Sequence, residues 1–143
     1  MDGWIDCGLT LATNSEPHSL CYIETANLDG ETNLKIRQAV PATAGLLSAA
    51  ELSGLSGLLL CDPPNRHLYE FNGTLRLGKA EPLALGADQL LQRGARLQNT
   101  RWATGLVLYT GHETKLLQNS AAAAPLKVLP SFFSASFSFS LVL

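Results

Sequence analysis

The sequence predicts a mainly β fold, a sandwich of jelly-roll type carrying two short helices. Three observations point there. Short apolar or alternating runs recur between turn residues, at 21–23, 34–36, 58–61, 74–77 and 106–108, which is how strands of a half-buried sheet read. The pair Asn72-Gly73 stands between two such runs, 67–71 and 74–77, and can take the positive φ angles of a type I′ hairpin turn. Only residues 42–56 and 114–119 space their apolar side chains as a helix does, and there is no internal repeat.

Taken in order, residues 1–10 show no clear period, and 12–19 form a polar run in which Pro17 forces Glu16 towards an extended conformation. A loop is expected there. Strands are expected on either side of Asp29-Gly30-Glu31-Thr32, with Tyr22, Ile23 and Leu28 before this acidic tip and Leu34 and Ile36 after it. Pro41 ends the second strand near Val40, because it has no N–H for the ladder.

Leu46, Leu47, Ala50, Leu52 and Leu55 make a helical stripe, weakened at its end by Gly54 and Gly57 at about 1 kcal/mol each. A strand at 58–61 follows, then a sharp turn at Asp62-Pro63-Pro64-Asn65. The 67–77 hairpin comes next; Asn72-Gly73-Thr74 also has the form of a glycosylation sequon, but the hairpin accounts for it. Further strands are expected around 89–92, 95–97 and 102–109. Thr110-Gly111-His112-Glu113 has the form of a capping box opening a helix at 114–119. Residues 121–143, an Ala/Pro run and then a Phe/Ser run, read as an appended, low-complexity tail.

At 143 residues, 46% hydrophobic and 15% charged, the chain has the length of one domain that buries about 70% of its unfolded surface. A net charge of −2 leaves no basic footprint for nucleic acid, which is excluded as a partner. Cys7, Cys21 and Cys61 are odd in number and lack C-x-x-C spacing, so reduced thiols are expected rather than a disulfide framework or zinc knuckle. The N-terminus has two acids and no basic n-region, unlike a signal peptide. No apolar run reaches the ~20 residues of a membrane helix.

From the residues alone, Asp29 and Glu31 are two carboxylates separated by a glycine that lets the backbone turn or approach a ligand. They suit acid–base work, metal binding or an ordinary surface turn. His18, His67 and His112 are isolated, and Arg66, Arg76, Arg93, Arg96 and Arg101 fit a basic face or an ordinary solvated surface equally well. The signatures of serine hydrolases, zincins and P-loop proteins are absent from the sequence.

Residues 21–38, Cys-Tyr-Ile-Glu-Thr-Ala-Asn-Leu-Asp-Gly-Glu-Thr-Asn-Leu-Lys-Ile-Arg-Gln, resemble the actuator-domain signature of the phospholipid-translocating P-type ATPases, the lipid flippases, in which DGET replaces the TGES loop of ion pumps. Residues 64–71, 85–91, 93–102 and 105–120 are similar to later parts of the same domain, in the same order. The resemblance spans about residues 11–120 and is closest to the aminophospholipid-transporting members. Residues 1–10 do not match, and 121–143 depart from the expected continuation.

The resemblance implies a distorted jelly-roll actuator domain, here incomplete. It implies that Glu31 positions or deprotonates the water that hydrolyses an aspartyl-phosphate, with Gly30, Asp29 and Thr32 shaping the loop. It further implies ATP and Mg2+ bound by other domains, with phosphorylation and nucleotide-binding domains, a phospholipid membrane and an accessory subunit as partners. The expected location is the cytosolic face of a Golgi, endosomal or plasma membrane. The sequence holds no Asp-Lys-Thr-Gly motif for the phosphorylated aspartate, so the chain alone is expected to be inactive and to bind no cofactor. A non-catalytic module that binds the other domains of a pump, and a free-standing small hydrolase using Asp29 and Glu31, are the alternatives.

Overall fold

A computed structural model describes residues 3–120 and 133–138. Its strands in chain order are β1 (Gly3–Trp4), β2 (Gly8–Asn14), β3 (Leu20–Glu24), β4 (Lys35–Gln38), β5 (Ser56–Cys61) and β6 (Gly73–Leu77). They continue with β7 (Leu83–Leu85), β8 (Leu90–Leu91), β9 (Arg96–Gln98), β10 (Ala103–Tyr109) and β11 (Phe133–Ser138). The helices are one or two turns long: α1 (Ala26–Asp29), α2 (Pro41–Ala44), α3 (Ala49–Ser53) and α4 (Lys115–Ser120). The mainly β expectation is borne out, with more helical pieces than the two expected.

Three antiparallel sheets have the orders β1-β9-β3-β4, β10-β2-β8 and β11-β5-β6-β7. The β10-β2-β8 sheet contributes to both cores. Leu90 packs with Leu59, Cys61, Phe71, Leu75, Leu85 and Leu108 on one side. Its neighbour Leu91 packs with Leu11, Cys21, Ile23, Ala39 and Ala95 on the other, as alternation along a strand requires. Gly105 sits at a register shift of the β10–β2 ladder, where a Cβ would lie 2.3 Å from the Thr10 carbonyl oxygen.

Several local expectations are corrected. The loop expected from residue 12 is the end of β2, whose residues are buried almost throughout, Thr10, Thr13 and Asn14 included. Burial on both faces removes the alternation that would have revealed it. The 67–77 hairpin does not form. Neither Asn72 nor Gly73 has positive φ, and β6 pairs instead with β5, with Gly73 opposite Cys61. The Asn72 N–H and side-chain amide both donate to Asp62 Oδ2 at 3.0 Å, closing a long connection over residues 62–72.

The single helix read over 42–56 is two, separated at Gly45; α3 is started by a capping box in which Ser48 Oγ accepts from the Glu51 N–H and Glu51 accepts from the Ser48 N–H. The Thr110 box is absent. Thr110 makes no side-chain cap, and Thr114, with ψ 143°, is extended, so α4 starts one residue later. In the Phe/Ser tail, β11 pairs antiparallel with β5; the remaining tail residues lie outside those described. No helix among the described residues is long and apolar enough to cross a membrane.

Candidate functional site

The acidic tip joins β3 to β4, which pair with Leu20 opposite Gln38 and Ile23 opposite Lys35. Ile23 is fully buried and roots the connection in the core. After Glu24 the chain makes the single helical turn α1, with the Asp29 N–H donating to the Thr25 carbonyl at 3.1 Å and the Gly30 N–H to that of Ala26 at 2.9 Å. Gly30 ends the turn at φ 77°, a left-handed conformation open to glycine without penalty. A Cβ there would meet nothing within 4 Å, so the demand for glycine is conformational. Residues 31–34 are exposed.

The two carboxylates differ in surroundings. Asp29 is the centre of the tip, its side chain only 8% exposed against 55% for Glu31. Its carboxylate accepts from Thr25 Oγ1 at 3.0 Å, from the Glu31 N–H at 3.0 Å, from the Tyr69 hydroxyl at 2.9 Å and from Lys35 Nζ. Burial alone would raise its pKa, but donation by Lys35, the Glu31 N–H, Tyr69 and Thr25 outweighs that and holds it down at about 2. Asp29 is therefore a fixed anion at neutral pH, a structural acceptor with no proton to give.

Glu31 projects outward. Its backbone is tied to Asp29, while its carboxylate takes an ion pair from Lys35 at 2.9 Å. Lys35 thus bridges both acids and lies 5.0 Å from the centroid of the Tyr69 ring. Burial works against its charge, but hydrogen bonds to Asp29 and Glu31 raise its pKa overall. Thr32 is exposed beside Glu31.

Tyr69 arrives from the 62–72 connection, 40 residues away, and that connection is held from beneath. Lys115, 5% exposed at the start of α4, donates to Asn65 Oδ1 at 2.6 Å. Asn119 donates to the Arg66 carbonyl at 2.8 Å, and Gln92 to that of Leu68. Sequence reasoning missed Lys35 and Tyr69. Lys35 follows Glu31 by four residues and could have been paired with it, whereas nothing near Tyr69 in sequence announces its partner.

The other candidates do not gather. Among the described residues no three His, Cys, Asp or Glu side chains converge to hold a metal ion, and His18, His67 and His112 are exposed. The three cysteines are free thiols; burial, opposed by Arg37, pushes Cys21 up to about 11, so it has little thiolate character. The tip can therefore present one exposed carboxylate, steadied by a lysine, on a base fixed by a second carboxylate.

No protein-family model matches the chain. Curated relatives do. It is 58% identical over 113 residues to a phospholipid-transporting ATPase of Schizosaccharomyces pombe, covering 78% of this chain and 9% of that protein. It is 50% identical over 127 residues to the phospholipid-transporting ATPase tat-1 of Caenorhabditis elegans, covering 88% and 11%. With the phospholipid-transporting ATPase DRS2 of Saccharomyces cerevisiae it shares 50% identity over 117 residues, covering 82% and 8%. The chain spans about a tenth of the length of these relatives.

Proposed function

The chain belongs by sequence with the phospholipid-transporting ATPases, as a segment of about a tenth of their length, and we propose that it is an actuator-domain portion whose Asp29-Gly30-Glu31-Thr32 loop serves the dephosphorylation step of lipid transport. The observation that carries this reading is the division of labour in the tip. Asp29 is fully engaged by Thr25, the Glu31 N–H, Lys35 and Tyr69, while Glu31 holds a largely exposed carboxylate on a backbone that Asp29 ties down.

Hydrolysis of an aspartyl-phosphate needs a water held in line with the leaving oxygen. The Glu31 carboxylate accepts one proton of that water as its oxygen bonds to phosphorus; the bond from phosphorus to the aspartyl oxygen breaks, releasing inorganic phosphate and free aspartate. Gly30 and the exposed backbone beyond it give the tip close access to the other domain, and Thr32 borders it. In this reading the phosphorylated aspartate, ATP and Mg2+ belong to other domains of a transporter, and the loop reaches them by domain movement. The chain would lie on the cytosolic face of the membrane, with those domains and an accessory subunit as its partners.

The test is Glu31→Gln in a complete transporter bearing this segment. The phosphoenzyme is expected to form from ATP and to accumulate. Decay at the unmodified rate would remove Glu31 from the step.

A further inference from the structure

We propose that Lys35 and Tyr69 are positioning residues for the Glu31 carboxylate: Lys35 sets its place, and Tyr69, brought from the 62–72 connection, locks Lys35 and Asp29 beneath it. This rests on the reading of Glu31 as the group that orients the water. A glutamate side chain turns about three bonds, and this one is 55% exposed, so a fixed backbone alone leaves its carboxylate free to wander. The Lys35 ammonium removes that freedom by meeting Glu31 Oε2 at 2.9 Å while bound to Asp29 on its other side. Misplacing the group that orients the attacking water by an ångström is costly in rate.

Tyr69 completes the clamp. Its hydroxyl donates to Asp29 Oδ2, the same oxygen that Lys35 reaches, and its ring stands 5.0 Å from the ammonium. The side chain is delivered by a segment pinned at Asn65, Arg66 and Leu68 by Lys115, Asn119 and Gln92. Those anchors lie in α4 and just after β8, so the clamp fastens the tip to parts of the chain far from it in sequence. The bare lysine stem would otherwise sample many rotamers.

The test uses a complete transporter bearing this segment, phosphorylated from ATP, with the decay of the phosphoenzyme followed by acid quench. Lys35→Met is expected to slow decay about tenfold or more, the loss of a charge-assisted bond, and Lys35→Arg to recover most of the rate. Tyr69→Phe keeps the ring and removes the bond to Asp29, and is expected to slow decay about two- to fivefold. Unmodified decay in both variants while Glu31→Gln persists would overturn the clamp and leave the reading of Glu31 standing; unmodified decay in Glu31→Gln would overturn that reading itself. Slowed decay in Lys35→Met with no recovery in Lys35→Arg, or failure of both variants to phosphorylate, would also overturn the proposal.

Discussion

Replacing Asp29 by asparagine keeps the shape of the acidic tip and removes the charge on which four donors converge. Held at about 2 against an ordinary 3.8, its carboxyl contributes at most about 2.5 kcal/mol at neutral pH by linkage. Screening at the rim of the loop lowers that to roughly 1–2 kcal/mol. The folded-state pKa is depressed, so this contribution is complete above the unfolded value near 4 and is lost as pH falls through about 2. Roughly half of it should already be gone at pH 3. Urea unfolding of the chain and of Asp29→Asn at pH 7 and pH 3 reads this directly. The variant is expected to be less stable by roughly 1–2 kcal/mol at pH 7 and by about half as much at pH 3. An equal cost at both values, or none at pH 7, would refute the picture of an ionised centre.

Three further perturbations follow from local geometry. Gly30→Ala places a side chain at φ 77° with open space around it, so a cost of about 1–2 kcal/mol, purely conformational, is expected in urea unfolding; a neutral effect would mean that the left-handed turn is not held. Gly105→Ala puts its Cβ 2.3 Å from the Thr10 carbonyl oxygen and from Leu9 Cδ1, and because one of these atoms is backbone, a loss of at least about 2–3 kcal/mol or of soluble protein is expected. Ser48→Ala removes the side-chain half of the α3 capping box and should cost about 0.5–2 kcal/mol, whereas Thr110→Ala, where no side-chain cap forms, should cost less in the same measurement.

The contrast between those two boxes shows what the sequence could and could not reveal. Ser48 and Thr110 both precede a glutamate by three residues, yet only Ser48 caps. Thr114 is instead extended and 1% exposed, its hydroxyl donating to the Gly111 carbonyl, so burial of that threonine decides where α4 begins. The strand before the acidic tip was legible because Cys21 and Ile23 alternate with partly exposed neighbours, whereas Leu34 and Ile36, which marked the strand after it, are exposed. The hairpin was misplaced because Asn72-Gly73 fits two uses, and the buried Phe71 and the pairing of β6 with β5 choose between them. In the site, Asp29 and Glu31 could be named from sequence but not told apart. The difference comes from the donors that converge on Asp29, Lys35, the Glu31 N–H, Tyr69 and Thr25; the Tyr69 hydroxyl is reached across 40 residues, and no local pattern encodes a contact of that span.

The most direct test of the account is the lifetime of the aspartyl-phosphate in a complete transporter bearing this segment, with Glu31 intact and as Glu31→Gln. Loss of a positioned general base is expected to slow decay by about 10²–10⁴-fold, with formation from ATP retained. A slowing of less than about tenfold, below the range for general-base catalysis, would contradict Glu31 as the residue that orients and deprotonates the attacking water.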